Sequence, residues 1–100
     1  MIVKFKTRQL ESCFREYRKA SKAFGEQVAR KYIQRINIIQ HARSLDELLA
    51  LPGLRCHALK GDRRGQYAAI LTGFYRLIFS MSGRQLEIVM IEEVSKHYGD

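Results

Sequence analysis

Hydrophobic and polar positions change period once along this chain, and the change divides it. Residues 1–6 alternate, with Ile2, Lys4 and Lys6 on one side and Val3 and Phe5 on the other. That pattern predicts a short first strand with one wet face. From Arg8 to Lys22 the apolar positions are Leu10, Cys13, Phe14, Tyr17 and Ala20, the spacing of an amphipathic helix. A second such run, Val28, Ala29, Tyr32, Ile33, Ile36 and Ile39, predicts a helix reaching Arg43. Its other face carries Arg30, Lys31, Gln34 and Arg35. Ser21 to Gly25 separates the two runs, so they read as an antiparallel helical hairpin.

Ser44-Leu45-Asp46-Glu47 has the form of a capping box and opens a short helical turn that Leu51-Pro52-Gly53 closes. Beyond it the period falls from about 3.6 to about 2 residues. Leu54–Leu59, Gln66–Leu71, Phe74–Ser80 and Gln85–Ile91 are strand-length segments divided by Gly-containing turns. A strand, two helices and a meander predict an α+β fold. Its economical form is a helical hairpin packed on a twisted antiparallel sheet of four to five strands.

Composition adds constraints. The 100 residues are 46% hydrophobic and 28% charged, as in a folded domain, and they are enough for one core. No apolar run is long enough for a membrane-spanning helix, and none follows the first charges as a secretory leader would. Cys13 and Cys56 fit neither a disulfide framework nor a metal site, so a reducing cytoplasm is the expected compartment. Charge says more. Lys and Arg number 18 against 10 Asp and Glu, for a net charge of +8. The excess sits in the body of the chain, while residues 85–100 carry one basic and four acidic groups. Such a field attracts polyanions, of which nucleic acid is the commonest.

Candidate chemistry gathers late in the chain. His57-Ala58-Leu59-Lys60-Gly61-Asp62-Arg63-Arg64-Gly65 concentrates an imidazole, three cations and two turn glycines. A Gly-flanked basic loop brings backbone and guanidinium groups close to phosphate, although it also serves as an ordinary solvated hairpin turn. Alternation places Arg76 on the face of Phe74 and Ile78, where a cation needs a cleft or a carboxylate such as Glu92 or Asp62. His97 and Tyr98 add a second imidazole and a phenol near the end, and His41 closes the second helix as a structural residue. Cys13 lies on an apolar stripe, and Cys56 faces away from His57. The acids are too scattered for a paired-carboxylate hydrolase or a metal cage, and no Walker or Rossmann loop is present.

His, Lys, Arg and Tyr suffice for one reaction class without metal or cofactor: RNA cleavage through its own 2′-hydroxyl. That reaction needs a base for the 2′-OH, cations for the phosphorane, and an acid for the departing 5′-oxygen. DNA has no 2′-OH and would escape.

The string from His57 to Tyr67, followed by Tyr75-Arg76-Leu77-Ile78-Phe79, resembles the HigB toxins, the plasmid maintenance killer branch of the RelE superfamily. The resemblance covers about twenty-five residues from 57 onward; earlier residues agree in pattern only. It implies one RelE-like toxin domain over residues 1–100 and a ribosome-dependent messenger-RNA endonuclease that inhibits translation. It implies a HigA-like helix-turn-helix antitoxin as partner, with operator DNA reached only through that antitoxin and no membrane partner. His57, Lys60 and Arg76 match the family's strand histidine, lysine and strand arginine, and His97 matches its terminal histidine. The family's usual Asp-Tyr-His falls on Ser95-Lys96-His97, so carboxylate and phenol are replaced there. Arg30, Lys31, Arg35, Arg63 and Arg64 are the expected contacts to RNA and ribosome. A ParE-type toxin that poisons DNA gyrase without catalysis, and an RNA-binding module without turnover, are the competing readings. Retained histidines favour the enzyme over the first. The lack of aromatic strand motifs disfavours the second.

Overall fold

A computed structural model describes residues 1–96. The first strand, β1, spans Ile2–Phe5. Thr7 then caps a helix by accepting a hydrogen bond from the Leu10 amide at 3.1 Å. The helix expected over Arg8 to Lys22 is two: α1 (Arg8–Arg15) and α2 (Tyr17–Phe24), broken at Glu16, whose backbone is extended. The break turns the apolar stripe, leaving Tyr17 exposed while Ala20 is buried. Gly25, at φ +86°, makes the reversal into α3 (Glu26–His41). Ser44 caps the short α4 (Leu45–Ala50).

The remaining strands are β2 (His57–Ala58), β3 (Gln66–Ile70), β4 (Tyr75–Ser82) and β5 (Ile88–Lys96). They form one five-stranded sheet in the order β1-β5-β4-β3-β2. The α+β class is as the pattern implied, but the sheet is mixed. β1 runs parallel to β5, with Ile2 beside Ile88, and the other neighbours are antiparallel. The helices between β1 and the meander form the crossover that a parallel pair needs.

Two strands differ from expectation. β2 is cut to two residues because Pro52–Leu54 is a 3₁₀ turn and Arg55 takes a left-handed conformation, φ +46°. β5 begins later than Gln85, since Leu86 is also left-handed, and it runs on to Lys96 against the start of β4.

The helices cover one face of the sheet. Tyr32, Ile36 and Ile39 of α3 are fully buried in one cluster with Leu77, Phe79, Val89 and Ile91. The Tyr32 hydroxyl, inside that cluster, donates to the Leu10 carbonyl at 2.7 Å, and burial pushes its pKa well above the ordinary range. Stacked rings fasten the edges, Phe5 on Phe14 and Tyr67 on Phe79, each at 5.6 Å. Cys13 and Cys56 are free and buried. No described helix is long and apolar enough to cross a membrane.

Candidate active site on the open face of the sheet

Strand alternation sends every second side chain away from the helices. On β4 these are Arg76 and Ile78; on β3, Ala68; on β5, Ser95, directly beside Arg76. With His57 from the edge strand, Leu59 just after it and Arg63 from the basic loop they line a recess of about 270 Å³. Ala68 and Ile78 form its apolar floor and are nearly fully buried without belonging to the main core.

His57 is placed by a neighbour two residues back. Its Nδ1 lies 3.1 Å from the Arg55 carbonyl oxygen. A carbonyl only accepts, so Nδ1 carries the hydrogen in that contact and Nε2 is left to exchange a proton. The left-handed backbone of Arg55, costly for a residue with a side chain, turns that carbonyl toward the ring.

Arg76 is anchored on backbone. Its Nη1 donates to the Thr72 carbonyl at 2.8 Å and to the Tyr75 carbonyl at 3.1 Å, which fixes the head group over the turn before β4. Glu92, one of the carboxylates that a structural ion pair would have used, bonds elsewhere. It accepts from the Ser80 hydroxyl at 2.7 Å and lies 3.5 Å from the Lys6 ammonium.

The basic loop is a 3₁₀ turn over Gly61–Arg63, flanked by Gly61 at φ +66° and Gly65 at φ +93°. Those two positions need glycine, and they let the loop double back over the recess. Arg63 is held there by Glu93 of β5, at 3.4 Å. Lys60 starts the turn, exposed beside Leu59, and Arg64 is exposed on its far side; neither lines the recess.

The sequence-predicted residues therefore part company. His57, Arg63 and Arg76 converge, while Lys60, next in the chain to Leu59, is exposed and does not line the recess. His97 lies outside the described residues. Arg30 and Lys31 are on the opposite side of the molecule, in a wide groove of about 910 Å³ along α3 with Tyr17, Ile33 and Ile38. Arg35, expected to contact RNA beside them, is instead tied into the fold. Its Nε donates to the Ile70 carbonyl at 2.9 Å, and desolvation lowers its pKa. A residue turned toward the sheet cannot share the outer face of its helix.

Four residues escaped the pattern. Nothing marks Arg55 as left-handed. Ser95 enters only through the register of β5 against β4. Glu92 and Glu93, consecutive in a strand, should face opposite ways. The β-bulge at Ile78/Phe79 pairs Ile78 with Glu93 and Phe79 with Ile91, so Glu92 is the extra residue and both carboxylates reach the open face. Among the described residues no three His, Cys, Asp or Glu side chains are grouped to hold a metal ion.

No protein-family model and no curated protein matches the chain in sequence. Solved structures do match in shape. A YoeB/ParE toxin from Agrobacterium tumefaciens aligns over 98% of this chain and 100% of its own, with a TM-score of 0.68 and 16% identity. The YoeB-YefM complex from Staphylococcus aureus aligns over 98% of both chains at TM-score 0.65 and 16% identity. The DinJ-YafQ toxin-antitoxin complex of E. coli aligns over 95% of this chain and 90% of the other at TM-score 0.60, again at 16% identity. In architecture, this chain is built as those toxins are.

Proposed function

We propose that the protein is the toxin of a type II toxin–antitoxin system, a HigB-type endoribonuclease that cuts messenger RNA on the ribosome and so stops translation. The observation that carries the reading is the recess, where an imidazole and two guanidiniums meet on a face that no described α-helix covers. The fold of the toxin neighbours and the motif from His57 to Phe79 support it further.

In this reading Arg76, with Lys60 assisting, stabilises the charge that develops on the phosphorane. His57, through Nε2, and His97 divide the two proton transfers: removal of the 2′-OH proton, and protonation of the 5′-oxygen as its bond to phosphorus breaks. No metal or cofactor takes part. Arg30, Lys31, Arg63 and Arg64 supply phosphate contacts, and the ribosome bends the message into line. The partner is a HigA-like helix-turn-helix antitoxin, which alone touches operator DNA, and the setting is the cytoplasm.

Primer extension on a translated message, with and without the induced protein, tests this. Codon-phased cuts during translation, with little cutting of free RNA, are expected. Efficient unphased cutting of naked RNA would refute the ribosome-dependent reading. Gyrase-linked DNA breaks would shift the assignment to the ParE-type poison.

A further inference from the structure

We infer that Glu93 is a positioning residue, which holds Arg63 over the recess so that its guanidinium meets the phosphate of the RNA. The inference rests on the endonuclease reading and goes beyond it, since it gives a role to a carboxylate that neither the motif nor the strand pattern brings to the site.

Four observations converge. The bulge at Ile78/Phe79 turns Glu93 to the open face, beside Ile78 on the recess floor. From there Glu93 Oε2 lies 3.4 Å from Arg63 Nη2, a contact across thirty residues of sequence. Arg63 belongs to a short turn whose backbone bonds, from the Arg63 amide to the Lys60 carbonyl at 3.3 Å and from the Arg64 amide to the Gly61 carbonyl at 3.1 Å, are internal to it, so the contact with Glu93 is what ties it to β5. The adjacent Glu92 does not compete for Arg63, because Ser80 and Lys6 occupy it. The bulge thus divides two neighbouring carboxylates between two tasks: Glu92 fastens the sheet, and Glu93 fastens the loop.

The pair is half-exposed on both sides, 45% each. An exposed pair is weak, so it can hold the loop without locking it. An arriving phosphodiester, singly charged like the carboxylate, offers a bidentate acceptor to the N–H groups of Arg63 that Glu93 does not use, so the guanidinium can meet it while Nη2 stays with Glu93. A carboxylate that instead took the 2′-OH proton would act independently of Arg63, which makes the two roles separable.

The test is a double-mutant cycle on the full chain in a translating extract, with cleavage of a reporter message read by primer extension. Glu93→Ala is expected to slow cleavage about twofold to fivefold, the range open to an exposed pair. Glu93→Gln, which keeps a hydrogen-bond acceptor, should lose less. In an Arg63→Ala background, Glu93→Ala should change nothing. Melting temperatures of all variants should agree closely, so that a folding defect is visible. An unaltered rate in Glu93→Ala overturns the inference. So does an undiminished effect in the Arg63→Ala background, or a Glu93→Gln variant as slow as Glu93→Ala, which would mark a proton acceptor.

If the wild type cuts no message, the endonuclease reading fails, and the pairing is still judged by a second measurement. The Arg63 Nε–H resonance is followed as a 2′-O-methyl dinucleotide is added. It should shift in the wild type and respond more weakly in Glu93→Ala. An equal response in the two, or none in either, overturns the inference.

Discussion

The two faces of the sheet are made by the same strands and obey different rules. Leu77 and Phe79 point under the helices, where they are fully buried. Arg76 and Ile78, one residue away in each case, point to the open face, where the recess lies. On the closed face a side chain matters through the apolar area it removes from water. On the open face it matters through where it holds a charge or a proton. The contrast shows how a chain of this size keeps a stable core while leaving polar groups half-exposed: each face is served by its own set of alternate positions.

The largest expected effect lies on the closed face. Phe79→Ala removes a ring that is buried in the core and stacked on Tyr67. It should cost about 3–5 kcal/mol of stability by chemical denaturation, and activity would fall with the folded fraction. Were Phe79→Ala no more destabilising than changes on the open face, the division between the faces would fail.

Arg76→Ala should show the reverse profile. Single-turnover cleavage should drop by two or more decades, about 3 kcal/mol of transition-state stabilisation. Stability should fall by about 1–3 kcal/mol, as the loss of charged hydrogen bonds such as those to the Thr72 and Tyr75 carbonyls does, with the protein still folded. A variant that unfolds would make Arg76 a structural brace and move it to the other side of the comparison.

The closed face was the more legible of the two from sequence, for a physical reason. Burial imposes period on a sequence, and Val28, Tyr32, Ile36 and Ile39 display it plainly. The recess depends on events without period. The bulge that turns Glu93, the left-handed Arg55, and the long β5 that sets Ser95 beside Arg76 leave no repeating trace. The parallel pairing of β1 with β5 was hidden too, because alternation in Ile2–Phe5 says which side is buried and not which strand lies alongside. His57 drew notice for its place beside the basic loop and Arg76 as a cation in an otherwise apolar strand, and both line the recess. The tie of Arg35 to the sheet was hidden because a basic residue at a helix flank reads as solvated until its partner carbonyl is seen.

An alkaline titration sharpens the comparison further. Burial pushes the Cys56 thiol from 9.0 up to about 11. The folded protein therefore holds that proton at a pH where the unfolded chain has lost it. The stability it supplies is complete below about pH 9 and disappears as pH rises through about 11. Cys13, also raised by burial, and Tyr32 add to the same trend, so the informative quantity is a difference. Cys56→Ala should have a flatter stability curve than the wild type over that window, by up to about 2 kcal/mol at its upper end. Parallel curves would mean that the thiol is not shielded as the closed face requires.

The smallest effects separate the arginines themselves. Arg64 is exposed on the loop at the edge of the open face. Arg64→Ala should leave the melting temperature unchanged and make the salt dependence of ribosome binding shallower, by about one unit in the slope of log K against log salt. Arg35 belongs to the other side, since its guanidinium bonds the Ile70 carbonyl and its pKa is lowered by desolvation. Arg35→Ala should lower stability by about 1–2 kcal/mol, as the loss of a charged hydrogen bond does, and leave the salt slope where it was. Arg30 and Lys31 decide how far the binding surface extends, because they line the groove on α3 rather than the recess. If Arg30→Ala and Lys31→Ala each flatten the slope as Arg64→Ala does, RNA wraps both sides of the molecule. If neither does while Arg64→Ala still does, the phosphate contacts are confined to the open face, and the groove's basic rim serves something other than the ribosome. If Arg35→Ala flattens the slope, that guanidinium leaves its carbonyl for phosphate, and the line between the two faces is less strict than the packing implies.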